Sequence, residues 1–330
     1  MGSSVELLVH QMKAAGDDTR IRLLTLLQRG ERTVKELTEI LGQSQPRISR
    51  HLKVLTDAGL VSRSPEGSWV YYRLSDEESG REVALGILRG LDESDLRLLR
   101  DHERLTALKR RSQEAAERYF AEHAGRWDEI RSLHVPEREV EAAILARAGE
   151  GPFRAMLDIG TGTGRMLELL AGRYDRAVGI DLSPAMLAVA RANLDRAGID
   201  HARVQLGDVM NLPVLRDSFD LVVIHQVLHF LDEPGRALAE AAEALAGGGR
   251  LLVIDFAPHE LEHLRQSQAH RRLGFSHAQI EHWVAAAGLQ LEAAEDLTPQ
   301  DDPGGLTVTI WSALDRRAAS SGRKTAQGLL

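Results

Sequence analysis

The 330 residues include no cysteine. That excludes a disulfide framework, a thiolate metal site and a cysteine nucleophile together. Aromatic residues are scarce, at 4%, so a large aromatic cage is not expected. No apolar run approaches the roughly 18 residues that a membrane span needs. The opening MGSSVELLVH lacks both the basic stretch and the long apolar core of a secretion signal. Gly2 invites comparison with a myristoylation site, but Glu6 stands where that motif needs Ser or Thr. The expectation is a cytoplasmic protein with no membrane partner.

Apolar residues make up 43% of the chain, enough for ordinary globular cores, and the length allows two domains. The net charge of −8 argues by itself against nucleic acid, but the average hides an asymmetry. Residues 19–73 hold ten Lys or Arg and five Asp or Glu, a balance of +5 that leaves −13 for the rest. A basic segment on an otherwise acidic chain hints at a separate nucleic-acid module.

Within that basic segment, TRIRLLTLLQRG (19–30) predicts a helix with Ile21, Leu24 and Leu27 on one face and Gly30 as its stop. TVKELTEILG (33–42) follows, with Thr33 and Glu36 spaced as a capping box and Gly42 ending the helix. In SQPRISRHLKVLTDAGL (44–60), Ser44 can cap a further helix whose buried stripe is Ile48, Leu52 and Leu55. LVSRSPEGSWVYYRL (60–74) then predicts a hairpin around Pro65, Glu66 and Gly67. Over roughly residues 5–80 this order of parts resembles the ArsR/SmtB winged-helix repressors. The resemblance implies a dimer on double-stranded operator DNA, with half-sites about 34 Å apart. Gln45, Arg47, Ser49, Arg50 and Lys53 avoid the buried stripe of the recognition helix. Arg and Gln suit base edges, and Ser and Lys suit phosphates. Arg63 and Arg73 on the wing could add phosphate contacts; a plain solvated face is the alternative for all of these charges. The family's metal pair, Asp-x-His with a later His, is missing, because Asp101 and His102 are adjacent and position 113 is Gln113. Metal sensing is therefore not expected.

Residues 76–118 are charge-dense and predict a long helix or helix pair, with Leu96, Leu99 and Leu108 as a partial apolar stripe. Residues 119–149 read as helices leading into a second domain, in which Tyr119, Phe120 and Trp127 either cover a ligand or simply pack. From 155 onward strand-like runs (155–159, 176–181, 202–206, 219–225, 249–255, 289–295, 306–313) alternate with helices. Ser183, Pro184 and Gly198 bound one of these helices well. Alternation of this kind predicts an α/β sheet, mostly parallel, with an antiparallel edge hairpin from the last two runs. The tail 320–330 reads as disordered.

The richest segment is LDIGTGTGRML (157–167), followed by GID (179–181). Gly160, Gly162 and Gly164 follow an apolar run, and Asp181 lies 19 residues beyond Gly162, at the end of a second run. This is a nucleoside-binding strand–loop–helix–strand layout. A dinucleotide fingerprint fails, since Arg165 and Leu167 stand where its third glycine would be. Asp158, just before the glycines, would repel a pyrophosphate and welcome a cationic sulfonium or ammonium. Roughly residues 120–315 resemble the class I S-adenosylmethionine (AdoMet)-dependent methyltransferases, and most of all the ubiquinone and menaquinone biosynthesis type. The expected architecture is thus an N-terminal winged helix-turn-helix (1–80), a helical linker or dimerisation region (81–118), a Rossmann-like seven-stranded methyltransferase domain (119–318) and a tail (319–330).

That resemblance implies roles by position. Gly160, Thr161, Gly162 and Gly164 would shape the loop under the methionine part of AdoMet, with Asp158 near its amino group. Asp181 would hold the ribose hydroxyls, Leu182 and Met186 would flank the adenine, and Asp208 and Val209 would meet its polar edge. The His225 carbonyl would contact the amino group. His229 is the preferred base candidate, against an inert structural histidine. His259, Glu260 and His263 spell H-E-x-x-H, yet the segment reads as a lid or acceptor-site helix and no metal is expected there. Adenine methylation in DNA is disfavoured because no N-P-P-[YF] follows FDLVVIHQ, and arsenic methylation because there is no cysteine. Two functions remain in front. One is a regulator that senses AdoMet or S-adenosylhomocysteine and represses its own or methionine-cycle genes. The other is an active small-molecule methyltransferase with an autoregulatory winged helix. In a third, the winged helix serves only a protein contact; the +5 balance counts against it.

Overall fold

The computed structural model describes residues 4–66, 69–75, 77–92, 94–124, 137–299 and 305–317. Gly67, Trp127 and the 320–330 tail lie outside the described residues. The chain divides into two compact units between Ala115 and Ala116. Among the described residues no helix is long and apolar enough to cross a membrane.

In the first unit, α1 (Val5–Ala15) and α2 (Asp18–Gln28) precede a short strand β1 (Arg32–Thr33). Helices α3 (Val34–Leu41) and α4 (Gln45–Asp57) come next, then strands β2 (Val61–Glu66) and β3 (Trp69–Leu74) and helices α5 (Glu78–Leu88) and α6 (Leu96–His123). Both halves of the Thr33–Glu36 capping box form, and Gly42 ends α3 in the left-handed region at φ 64°. Ser44 occupies the N-cap position of α4, but its side chain makes no capping bond. Pro46 in the first turn presets the helical backbone there instead. The hairpin closes antiparallel from Val61↔Leu74 to Glu66↔Trp69, and β1 pairs with the other edge of β3.

Ile48, Leu52 and Leu55 of α4 are fully buried with Leu23, Leu24, Leu37 and Ile40. Cutting any of these leucines to alanine would cost about 2–5 kcal/mol. The start of α6 belongs to this core. Leu105 is buried in it, Arg22 makes a two-pronged bond to Asp101 at 2.7 Å on each arm, and Arg104 donates to the Ile40 carbonyl at 2.9 Å. Of the expected apolar stripe only Leu108 is buried, while Leu96 and Leu99 are exposed.

In the second unit α7 (Glu137–Ala148) leads to strand β4 (Met156–Ile159), helix α8 (Arg165–Leu169), strand β5 (Ala177–Asp181) and helix α9 (Pro184–Ala197). Then come β6 (Ala202–Leu206), β7 (Phe219–His225), α10 (Pro234–Ala244) and β8 (Leu245–Phe256). The short helix α11 (His263–Ser267), α12 (His277–Ala286), β9 (Gln290–Leu297) and β10 (Val308–Leu314) complete it. One seven-stranded sheet runs β6-β5-β4-β7-β8-β10-β9. Its first five members are parallel, and β10 is antiparallel to both β8 and β9. The expected edge hairpin is present, with β10 inserted between β8 and β9.

Central strands β4, β7 and β8 are apolar on both faces because helices cover both. Edge strand β9 instead alternates exposed and half-buried positions along its whole length. Strand β8 starts earlier than its apolar run, at Leu245, directly where α10 ends.

Candidate functional site

The chain lays β4, β5 and β6 outward on one side and then returns to place β7 and β8 on the other side of β4. The sheet therefore changes direction at β4, and the crevice beyond the carboxyl ends of β4, β5 and β7 is where such sheets bind ligands. The candidate residues lie in and just beyond those ends. Gly160, Gly162 and Gly164 all adopt positive φ, at 71°, 52° and 85°. Side chains there would be strained. Packing within the protein adds a second reason. A Cβ on Gly160 would lie 2.3 Å from Cγ2 of Val227, and one on Gly164 would lie 3.3 Å from Cβ of Ala190. Gly179 is demanded as well, since its Cβ would come within 2.6 Å of the Thr161 hydroxyl. Val227 and the role of Gly179 are not visible in the glycine spacing; both depend on which strands become neighbours.

Asp158 is 1% exposed and accepts from the Thr161 hydroxyl at 2.6 Å, which ties the loop to the strand end beneath it. Asp181 ends β5. Its Oδ2 accepts from the Gly162 N–H at 2.8 Å, and its Oδ1 from the Ser183 N–H at 2.8 Å. Both oxygens are thus oriented while keeping lone pairs for hydroxyl donors. Burial pushes the Asp181 carboxyl above its usual range, and the N–H groups of Ser183, Gly162 and Leu182 pull it back.

Ser183 caps α9 through the Met186 N–H, placing buried Met186 in the first turn and half-buried Leu182 just before it. Asp208 is exposed two residues beyond β6, with its Oδ1 accepting from the Met210 N–H at 2.9 Å. Val209 beside it is buried. The Gly207 N–H donates to the Asp181 carbonyl at 3.0 Å, which ties the β6 end to the β5 end. His225 ends β7 and is half-buried.

These residues fit an AdoMet-like nucleoside. The loop carries no side chains at Gly160, Gly162 and Gly164, the Asp181 carboxylate is pre-oriented for a ribose, and Asp158 supplies negative charge beneath the loop.

His229 lies in the turn after β7 and is 2% exposed. Its Nδ1 is 2.7 Å from Oδ1 of the fully buried Asp255 near the end of β8. The same oxygen accepts from the Phe256 N–H at 2.8 Å. Rings collect here despite their scarcity overall. Ring centroids of His229 stand 4.0 Å from Phe230, 5.0 Å from Phe256 and 4.2 Å from His270, and Phe120 meets Phe230 edge-on at 4.9 Å. Composition counts rings but not their placement. The strap after α11 is pinned to the same turn. The N–H groups of Arg271 and Arg272 both donate to the His229 carbonyl, at 2.9 and 3.0 Å, and Arg271 pairs with Asp232 at 2.6 Å.

In the first unit, Gln45, Arg47, Ser49, Arg50 and Lys53 of α4 are exposed, as is Arg63 on β2. Lys53 pairs with Asp57 at 3.1 Å. Arg73 departs from the expectation: it pairs with Glu31 at 2.9 Å and braces the wing to β1. His51 of α4 adds a group that the sequence did not flag. Burial foremost holds its pKa below the usual histidine value, with Arg20, Arg47 and Arg50 lowering it further against a nearby Asp17. Asp101 and His102 are engaged by Arg22 and Arg29, the latter pair at 2.8 Å. Among the described residues no group of three or more His, Asp or Glu is placed to hold a metal ion.

Residues 17–63 match the family model described as bacterial regulatory protein, arsR family, and residues 157–253 match the methyltransferase domain model. An arsenic resistance transcriptional regulator of Pseudomonas putida is 52% identical over 66 residues, covering 20% of this chain and 52% of the relative. A malonyl-[acyl-carrier protein] O-methyltransferase of Hahella chejuensis is 30% identical over 169 residues, covering 49% of this chain and 60% of the relative. The chain thus spans just over half the length of each of these two relatives. A methyltransferase of Haloferax volcanii, solved with its activator, has a TM-score of 0.50 at 22% identity over 59% of this chain and 97% of that one. At that identity the likeness concerns the fold alone.

Proposed function

We propose that this chain, an ArsR-type winged helix fused to a class I methyltransferase domain, is a transcriptional regulator whose DNA affinity answers to AdoMet or S-adenosylhomocysteine. The observation that carries the reading is the coexistence of two prepared sites in one chain. One is a recognition helix with Arg47 and Arg50 exposed above a fully buried stripe. The other is the Asp181 carboxylate fixed at the sheet's switch point. Arg47, Arg50 and Gln45 would read base edges, while Ser49, Lys53 and Arg63 would hold phosphates. Asp181 would bind the ribose, the loop from Gly160 to Gly164 would cradle the methionine part, and Asp208 and Val209 would meet the adenine edge. When bound, AdoMet supplies an activated methyl group; the chain's residues orient it and exclude water.

The same reading takes residues 1–80 as the DNA module, 81–118 as linker and dimer contact, and 119–318 as the ligand domain. A homodimer is supported by α1. Val5, Leu8, Val9 and Met12 fall at helical spacing on one face and are 81%, 39%, 42% and 58% exposed, while the buried residues of that helix are Gln11, Ala14 and Ala15. A monomeric mass by sedimentation at micromolar concentration would rule the dimer out.

Regulation requires that the ligand bind the DNA-competent and DNA-incompetent states unequally. The test is fluorescence anisotropy with DNA from upstream of its own gene, at fixed salt. It is run without ligand, with AdoMet and with S-adenosylhomocysteine. A shift in DNA affinity of fivefold or more, about 1 kcal/mol of coupling, supports the reading; DNA binding unmoved by either ligand defeats it. A second reading, a working small-molecule methyltransferase with an autoregulatory winged helix, is favoured by one specific observation, the buried His229–Asp255 pair.

A further inference from the structure

We propose that His229, oriented by Asp255, is a general base for methylation of an aromatic hydroxyl, so that the acceptor is a phenol-like compound held against Phe120, Phe230 and Phe256. The proposal rests on the methyltransferase reading of the second unit. Its starting point is the direction of the Asp255 hydrogen bonds. Asp255 Oδ1 accepts from the Phe256 N–H at 2.8 Å, and Oδ2 faces the His229 N–H at 3.4 Å. A carboxylate already serving as acceptor to two backbone donors is an acceptor toward the ring as well. The 2.7 Å contact therefore places the proton of neutral His229 on Nδ1 and leaves a lone pair on Nε2. Nδ1 is the ring nitrogen turned to Asp255, so Nε2 points away from the carboxylate. A buried carboxylate behind an imidazole also stabilises the imidazolium that forms when the ring takes up a proton.

The placement suits transfer. Val227, two residues before His229, is the side chain packed on Gly160 of the cofactor loop. The turn that carries the base is thereby seated on the loop that would hold the methyl donor. Ring placement then selects the acceptor. Phe230, Phe256 and His270 pack on His229 through tilted contacts, Phe120 meets Phe230 edge-on, and Phe256 and His270 lie near parallel at 18°. Such a wall favours a planar ring over a flexible chain. A base is needed for a phenolic hydroxyl, which is protonated at neutral pH, and not for a carboxylate, which is already ionised. In the balanced step the acceptor O–H bond breaks and its proton passes to His229 Nε2. The freed oxygen pair forms a C–O bond to a methyl whose bond to the sulfonium sulfur breaks, leaving a neutral thioether. The proton then leaves His229 to water.

The probe is 4-nitrophenol, whose phenolate is yellow and whose phenol is not, so ionisation is read without turnover. Full-length protein is titrated with it at fixed pH in the presence of S-adenosylhomocysteine, and AdoMet affinity is measured separately by calorimetry. The expected result is a bound probe at least about tenfold more ionised than free probe, one unit of pKa, with the gain lost in His229→Gln. Asp255→Asn is expected to reduce the gain and to remove the preference for the Nδ1–H tautomer in the ring's ¹⁵N spectrum. If a variant fails to fold, ¹⁵N-histidine spectra of the wild-type protein decide, because one imidazole must gain a proton when the probe binds. Probe that binds without added ionisation, or that ionises equally in His229→Gln, overturns the base. Absence of AdoMet binding in the wild-type protein overturns the underlying reading and the base with it. Intact AdoMet binding with unchanged probe ionisation overturns the base alone.

Discussion

The two units prepare their candidate sites in opposite ways. In the first, the relevant side chains project outward from α4 over a fully buried stripe, and their charges lie in solvent. In the second, Asp158, Asp181, His229 and Asp255 are already engaged by neighbours at 2.6 to 2.8 Å. A surface that meets a polyanion can leave its cations free, because water solvates them until phosphate replaces it. A pocket for a small cation or nucleoside must fix its carboxylates beforehand, because an unpaired buried charge is costly. Substitutions should therefore act locally and additively on the α4 face, and through loops and strand ends in the pocket.

The largest effect is expected from Gly160→Val, where positive φ and the contact with Val227 both oppose a side chain. The loop should be displaced at a cost of about 2 kcal/mol or more. AdoMet binding should disappear by calorimetry while operator affinity without ligand stays as in the wild type. Survival of AdoMet binding would remove this loop from the pocket.

Next in size is a contrast within the first unit. Arg50→Ala should weaken operator binding by about 1–3 kcal/mol if it reads a base, or lower the salt slope by about 1 if it holds a phosphate. Arg73→Ala should change DNA affinity little and show instead in thermal stability, because that guanidinium is committed to Glu31. Equal effects of the two on DNA would erase the distinction between face and brace.

The smallest effect concerns pH. His51 is held below the usual histidine value of 6.5, first by burial and then by neighbouring arginines. A lowered folded-state pKa means that the unfolded chain binds more protons. Neutral His51 thus adds stability above 6.5 that is lost as pH falls through the folded-state value. DNA phosphates near Arg47 and Arg50 would offset the arginine field and raise the His51 pKa, so operator affinity should rise modestly as pH drops from 7 toward 6, by less than about tenfold. His51→Gln should flatten both trends in parallel melts and anisotropy titrations.

Much of the fold was legible because its signals are local. Thr33 and Glu36 cap α3 as their spacing implies, Gly198 ends α9, and the buried stripe of α4 falls at Ile48, Leu52 and Leu55. The mostly parallel sheet and its antiparallel edge hairpin followed from run lengths and connections, whereas the order of its strands did not. Ser44 shows the limit: its type suits a cap, but the side chain makes no capping bond. Arg73 shows another, since a wing cation looks free until Glu31 is brought beside it by the β1–β3 pairing.

Two modules, their element order, the glycine turn and the carboxylate 19 residues beyond Gly162 were readable along the chain. These depend on backbone preference and on periodicities of 3.6 and 2 residues, which are written along the chain. Folding into the sheet was needed to close Val227 on Gly160, to set Asp255 behind His229, to pack Phe256 on the His229 ring and to bring Phe120 to Phe230. Those partners are 26 to 110 residues apart or on separate strands, and nothing short of the sheet's strand order and register brings them together.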